Sequence, residues 1–259
     1  MALFQNFFKP PPPKPAPVPP VPPQLPKITA PTAAQIAQTS HPSPEAQAIL
    51  QANPQQTPAQ YLGTLQEKQM GGEMVKTLAH GMPDREGVHW AAQSAGKISD
   101  KLPPSDAEAL KAAQAWAKNP TPENKAAAAA AAAKTNYRGP GALAAQGAAW
   151  AQPATPASSG ATANAAASAA PRMTPHAVAG AVLLSAAIKA NPAVAVPALQ
   201  APAVTAPTLA MPAVQAPQLN VPQAPPPTVP PAIQAQTFKD QHPFIAMGLD
   251  IASGKSAVG

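Results

Sequence analysis

The 259-residue sequence has no cysteine, which excludes disulfides, thiolate nucleophiles and Cys-based metal sites. Aromatic residues reach only 4%, and charged residues only 11%. The 45% hydrophobic content is largely alanine, which buries little area per residue, so a large α/β enzyme or a β-sandwich is not expected. Glycine, at 14 residues, is too rare for a collagen-like period. Long apolar runs are also missing. The strongest, Ala177–Ile188, falls far short of the ~20 residues a membrane-spanning helix needs. Met1–Lys9 lacks a basic leading region, and prolines begin before an apolar core could form. A secretory signal is therefore not expected, and the cytoplasm is the expected compartment.

Proline is what the chain has in excess, at 39 residues. Pro10–Pro31 carries twelve of them. Proline fixes φ near −65° and pushes the preceding residue to extended geometry, so this arm reads as polyproline II. The net charge of +6 has no focus. Residues 42–152 hold ten basic and nine acidic side chains, and Lys9, Lys14 and Lys27 lie dispersed before the first acid, Glu45. Scattered lysines make a poor phosphate footprint, and no nucleic-acid partner is expected.

From Ser43 the text changes to helix starts. Ser43-Pro44, Thr57-Pro58, Thr121-Pro122 and Thr174-Pro175 each place a capping hydroxyl before a first-turn proline, ahead of an Ala/Leu-rich run. Thr57-Pro58-Ala59-Gln60 and Ser105-Asp106-Ala107-Glu108 have capping-box spacing. The pattern predicts helices near 44–52, 58–69, 72–81, 84–98, 105–118, 122–135, 141–151 and 175–190, separated by Gly/Pro breaks. Nothing alternates with period two. The fold class is all-α: a small Ala-rich helical bundle with extended polyproline-type arms. Tyr61, Trp90, Trp116, Tyr137 and Trp150, with Leu62, Leu65, Val75, Leu78, Val88, Ile98, Leu110 and Leu143, are its expected core.

Beyond the bundle, Pro192, Pro197, Pro202, Pro207, Pro212, Pro217, Pro222 and Pro227 recur every fifth residue, with Val or Leu two positions after each of the first six. A proline every five residues is incompatible with an α-helix or a central strand. The tract reads as a stiff spacer, or else as a multivalent ligand for a grooved partner. The chain therefore divides into a Phe-bearing peptide at 1–9, a proline-rich arm at 10–41, a helical domain at 42–152, and a flexible linker at 153–173. An apolar helix follows at 174–190, then the pentad spacer at 191–237 and a C-terminal docking helix and tail at 238–259.

One polar cluster invites a site: His80, Asp84, Arg85, Glu86 and His89. Its histidines lie nine apart across a proline break, without the spacing of a metal-binding helix. Acids in a first helical turn and a locally paired arginine explain the group equally well, and a partner-facing patch is the other reading. Trp116 with Asn119–Asn124 reads either as a recognition loop or as core plus turn chemistry. Phe4, Phe7 and Phe8 share a helical face ahead of the stiff arm, which suits a peptide inserting aromatic rings into a partner groove. No catalytic, cofactor-binding or metal residues are assigned, and no small-molecule substrate is evident. Phe4, Phe7, Phe8, Arg85, Glu86 and His89 are the candidate partner-binding residues.

Three stretches carry a family likeness. They are His80-Gly81-Met82-Pro83-Asp84-Arg85-Glu86-Gly87-Val88-His89-Trp90, then Trp116-Ala117-Lys118-Asn119-Pro120-Thr121-Pro122-Glu123-Asn124-Lys125, and Gly248-Leu249-Asp250-Ile251-Ala252-Ser253-Gly254. From about residue 45 to 190, and again over 244–254, the chain resembles an uncharacterised family of bacterial helical-domain proteins. Their genes often stand near type VI secretion accessory and effector-delivery genes. The resemblance implies a compact helical domain and transfers no activity. The expected function is a non-enzymatic interaction adaptor, with secretion accessory or effector proteins as partners. A secreted effector or toxin cargo and a passive structural spacer are the alternatives.

Overall fold

The computed structural model describes residues 24–152, 172–194 and 231–256 of the chain. They form ten α-helices, and no strand occurs among the described residues, so the fold is all-α. The helices are α1 (Ala33–Ser40), α2 (Pro44–Ala52), α3 (Pro58–Glu67), α4 (Gly71–Gly81), α5 (Asp84–Gly96), α6 (Pro104–Lys118), α7 (Pro122–Lys134), α8 (Pro140–Trp150), α9 (Thr174–Ala190) and α10 (Pro231–Ala252). Short 3₁₀ turns stand at Ser99–Lys101 and Pro192–Val194, the latter on the first proline of the pentad tract. Residues 10–23 of the arm, the linker from 153 to 171 and the tract from 195 to 230 lie outside the described residues.

The punctuation works unevenly. Ser43, Thr57 and Thr121 each accept a bond from the backbone N–H three residues on, and Thr57 with Gln60 forms the full capping box. Thr174 is already inside its helix, and its hydroxyl donates to the Gly147 carbonyl of α8. Ser105 caps nothing either, because α6 begins one residue earlier, with Pro103 at the N-cap. Thr57→Ala and Thr121→Ala are each expected to cost about 1 kcal/mol in urea unfolding, while Ser105→Ala stays within about 0.5 kcal/mol. Three helices end in left-handed Schellman turns at Gln69, Asn136 and Gly254, where the next residue's N–H reaches back five residues.

Two clusters of helices share α5 and α9. On one side α8 packs against α5, α6, α7 and α9; on the other, α4 packs against α1, α3, α9 and α10. The first cluster is built from small residues. Ala142, Ala144, Ala145 and Ala148 of α8 and Ala177, Val178, Ala181 and Val182 of α9 are buried, so these two helices meet through small side chains. In the octa-alanine helix α7 only Ala128 and Ala132 are buried. The larger side chains fill the second cluster: Leu62, Leu65, Met74, Leu78, Trp90, Phe244 and Ile245 are all sealed from solvent.

Several expectations are corrected. Residues 33–40 of the proline-rich arm are helical, because the prolines stop at Pro31, and Leu25, Ile28 and Ile36 are buried. Tyr137 and Trp150 are not core residues, being 55% and 41% exposed. Tyr137 follows α7 in a left-handed turn (φ 59°) that throws its ring outward, and Trp150 is the last residue of α8. The C-terminal helix starts at Pro231, not near 238: proline suits a first turn, and no proline follows until Pro243. Pro243 sits inside α10, where Phe238, Phe244 and Ile245, buried on either side of it, offset the missing hydrogen bond.

Candidate functional site

The polar segment singled out in the sequence spans the break between α4 and α5. Pro83 is the N-cap of α5 and offers no side-chain cap, so Asp84 and Glu86 supply negative charge to the first turn. Each side chain then reaches a different neighbour. One carboxylate oxygen of buried Asp84 accepts the Gln152 N–H at 2.8 Å, and the other pairs with the Arg172 guanidinium. Asp84 thereby ties together the residue that precedes the 153–171 linker and the one that follows it.

Arg85 does not pair within its own turn. Its Nε donates to the Ala117 carbonyl at 2.8 Å and its terminal nitrogen to that of Lys118 at 3.0 Å, closing the C-terminal end of α6. Glu86 forms an ion pair with Lys27 at 3.1 Å. His89 Nε2 lies 2.8 Å from Gln93 Nε2. Burial and the nearby Arg85 charge hold the His89 imidazole below its ordinary range, with Glu86 opposing them. Trp116 is buried, and Asn124 closes the following turn on Asn119 and Thr121. Phe4, Phe7 and Phe8 lie outside the described residues.

His80 stands apart from His89. Its Nδ1 is 3.1 Å from Thr39 Oγ1 of α1, and its ring meets His176 of α9 edge-on, with centroids 4.7 Å apart. Burial, then His176, Arg172, His41 and Lys76 in that order, drive its imidazole down to about 3. No group of three or more His, Cys, Asp or Glu side chains able to hold a metal occurs among the described residues. Thr39, His41, Arg172 and His176 were not singled out in the sequence. Thr39 lies 41 positions from His80, and no local spacing announces the meeting.

A second pattern concerns exposure. Five large apolar side chains are exposed among the described residues: Tyr137, Trp150, Met173, Val194 and Ile233. Four of them, Trp150, Met173, Val194 and Ile233, lie within three residues of 152, 172, 194 or 231, where the described segments end. Among the described residues no helix is long and apolar enough to cross a membrane.

Comparison with known proteins yields one match. A model described as "Family of unknown function (DUF6931)" covers residues 61–206, which run from α3 through α9 into the pentad tract. α1, α2, α10 and the Gly248–Gly254 motif lie outside it. No curated protein and no solved structure matches the chain. With more than half of its 259 residues covered by that model, the chain belongs to DUF6931, a family of unknown function.

Proposed function

We propose that the protein is a non-enzymatic interaction adaptor that binds protein partners through the large apolar side chains left exposed beside residues 152, 172, 194 and 231. The observation that carries this reading is the placement of Trp150, Met173, Val194 and Ile233. These side chains are 40–57% exposed, and large apolar groups left at the surface are the kind that anchor protein interfaces. Asp84 supports the same reading, since it holds Gln152 and Arg172, which flank residues 153–171 in sequence, against one point. By contrast, the polar residues that suggested chemistry are engaged within the fold, on helix ends and neighbouring helices. A pure spacer role for residues 195–230 is disfavoured, because α9 and α10, the helices they join, pack against each other. The secretion-accessory assignment, with effector loading or delivery as the task, rests on the resemblance of the His80–Trp90 and Trp116–Lys125 stretches.

The test is a crosslinking pulldown from the native host with three full-domain baits: the intact chain, a chain lacking residues 2–9, and the Trp150→Ala/Met173→Ala chain. Both altered chains should keep a cooperative melt, the Trp150→Ala/Met173→Ala chain within about 5 °C of the parent because both side chains are partly exposed. Each should lose at least one captured partner. Retention of every partner by both baits would overturn the proposal.

A further inference from the structure

Two ties draw the end of α8 to the start of α9. The Thr174 hydroxyl donates to the Gly147 carbonyl at 3.2 Å, while Asp84 accepts the Gln152 N–H and pairs with the Arg172 guanidinium. Trp150 stands between Gly147 and Gln152 in sequence, and Met173 stands between Arg172 and Thr174. Bracketed in this way, the two residues meet the solvent beside each other, 41% and 47% exposed. They come from different helices, so the apolar pair is made by the fold and not by local sequence.

Cations edge this pair. Lys125 of α7 donates its ammonium to the Ala151 carbonyl at 2.8 Å, which places the charge at the residue next to Trp150. Arg172 directly precedes Met173. Asp84 balances Arg172, but Lys125 forms no ion pair among the described residues. Glu123, two positions before Lys125, turns instead to Thr121 at the start of α7. An ammonium has three donors, and the Ala151 carbonyl takes one of them. The chain's own tracts offer no counter-charge. Its eleven acidic residues all fall between Glu45 and Asp250, and none lies in 1–23, 153–171 or 195–230.

We infer that Trp150 and Met173, with Lys125 at their edge, form a docking site for an acidic peptide of a partner protein, one that sets an apolar side chain beside a carboxylate. This rests on the adaptor reading and names the chemistry of one of its partners. The apolar side chain packs against the indole and the thioether, and the carboxylate takes a charge-assisted bond from the Lys125 ammonium. Tryptophan and methionine are among the residues enriched at interfaces, whereas complementary charge selects the partner and fixes its register. A neutral or basic peptide of the same apolar content gains the first contact alone.

Selection of a displayed random-peptide library on the full chain, followed by fluorescence anisotropy of the selected peptides, tests the site. The selected peptides should combine Leu, Ile or Phe with Asp or Glu. Trp150→Ala/Met173→Ala should weaken them by roughly tenfold or more, the loss expected of an interface anchor. Lys125→Gln keeps a donor near the Ala151 carbonyl without the charge and should weaken them about fivefold. Lys125→Arg should return binding to within about twofold of the parent, so this pair decides the matter even if the double variant fails to fold. Failure to select any peptide, selection of peptides without acids, or equal binding by the parent and Lys125→Gln would each overturn the inference. Acidic peptides that ignore Trp150→Ala/Met173→Ala would also overturn it, as the unspecific pull of a chain of net charge +6. Neutral Ala/Pro-rich winners would give the face to residues 153–171, and a parent dimer dissolved by Trp150→Ala/Met173→Ala would give it to a second copy; either result sinks the acidic partner. In the pulldown, partner loss with Trp150→Ala/Met173→Ala but not with Lys125→Gln would overturn the acidic chemistry while the adaptor reading stood.

Discussion

Gly248→Ala is expected to destabilise the protein by about 3 kcal/mol, a large effect for one added methyl group. A Cβ at this position would lie 2.7 Å from Cε2 and Cζ2 of Trp90 and 3.2 Å from Leu78 Cδ1. Neither neighbour can retreat cheaply. Trp90 and Leu78 are fully buried, and the Trp90 indole is pinned by its Nε1–H bond to the Phe244 carbonyl of the same helix, at 2.8 Å. The methyl must therefore push α10 outward and lengthen that bond. Lys189, whose Nζ sits 5.6 Å from the Phe244 ring centroid, would lose its aromatic partner in the same movement. Trp90→Ala should cost roughly 4 kcal/mol, the usual range for a buried aromatic. In a Trp90→Phe background the smaller ring leaves room, so the added cost of Gly248→Ala should fall below about 1.5 kcal/mol. Urea unfolding of the four chains decides the matter. Strict additivity would show that α10 does not rest on Trp90 through Gly248.

That contact also marks how far the sequence could be read. Helix starts were legible wherever a hydroxyl and a proline stand side by side, because capping is a local transaction within four residues. Ser43, Thr57 and Thr121 obey it. Thr174 does not, since a bond to Gly147 of another helix is available to it. The helix α1 was hidden by its neighbours: twelve prolines between 10 and 31 set the reading of the whole arm, although none occurs between Pro31 and Pro42. Arg85, Glu86 and His89 were found as a polar group, yet their partners, Ala117, Lys27 and Gln93, lie in three directions. The Asp84 tie joins positions 68 and 88 residues apart, and Trp90 bonds a carbonyl 154 residues away. Such pairings depend on how helices pack, which residue spacing does not encode. In an Ala-rich bundle the ambiguity is greater, because many helix faces look alike. Exposure was misjudged for Tyr137 and Trp150 for the same reason: aromatic rings in a sequence so poor in them read as core, while both sit at helix ends.

Asp106→Ala should cost about 3 kcal/mol, close to the roughly 4 kcal/mol expected of Trp90→Ala, although it removes a carboxylate that burial penalises. Burial pushes the Asp106 carboxyl above its ordinary value, against two backbone N–H groups that pull it down. Those two bonds are the reason the carboxylate is there. The N-cap of α8 is Gly139, which has no side chain to cap the helix, and Asp106 of α6 performs the task from outside. It accepts the Ala142 N–H at 2.7 Å and the Gly141 N–H at 3.2 Å, the positions a capping side chain normally serves. The junction is dense around it. Gly139 has φ 99°, and a Cβ there would stand 2.5 Å from the Asp106 carboxyl carbon; one on Gly141 would stand 2.3 Å from the Asp106 backbone oxygen. Gly139→Ala should therefore cost about 3 kcal/mol, roughly 1 from the left-handed backbone and the rest from collision. Removing the carboxylate removes the collision. In an Asp106→Ala background, Gly139→Ala should cost only about 1 kcal/mol more, so the double variant falls short of the sum by roughly 2 kcal/mol. Asp106→Asn retains an acceptor for the shorter bond and should lose about 1 kcal/mol. Urea midpoints at pH 7 measure each term, and Asp106→Ala within 0.5 kcal/mol of the parent would mean that α8 starts without help from α6.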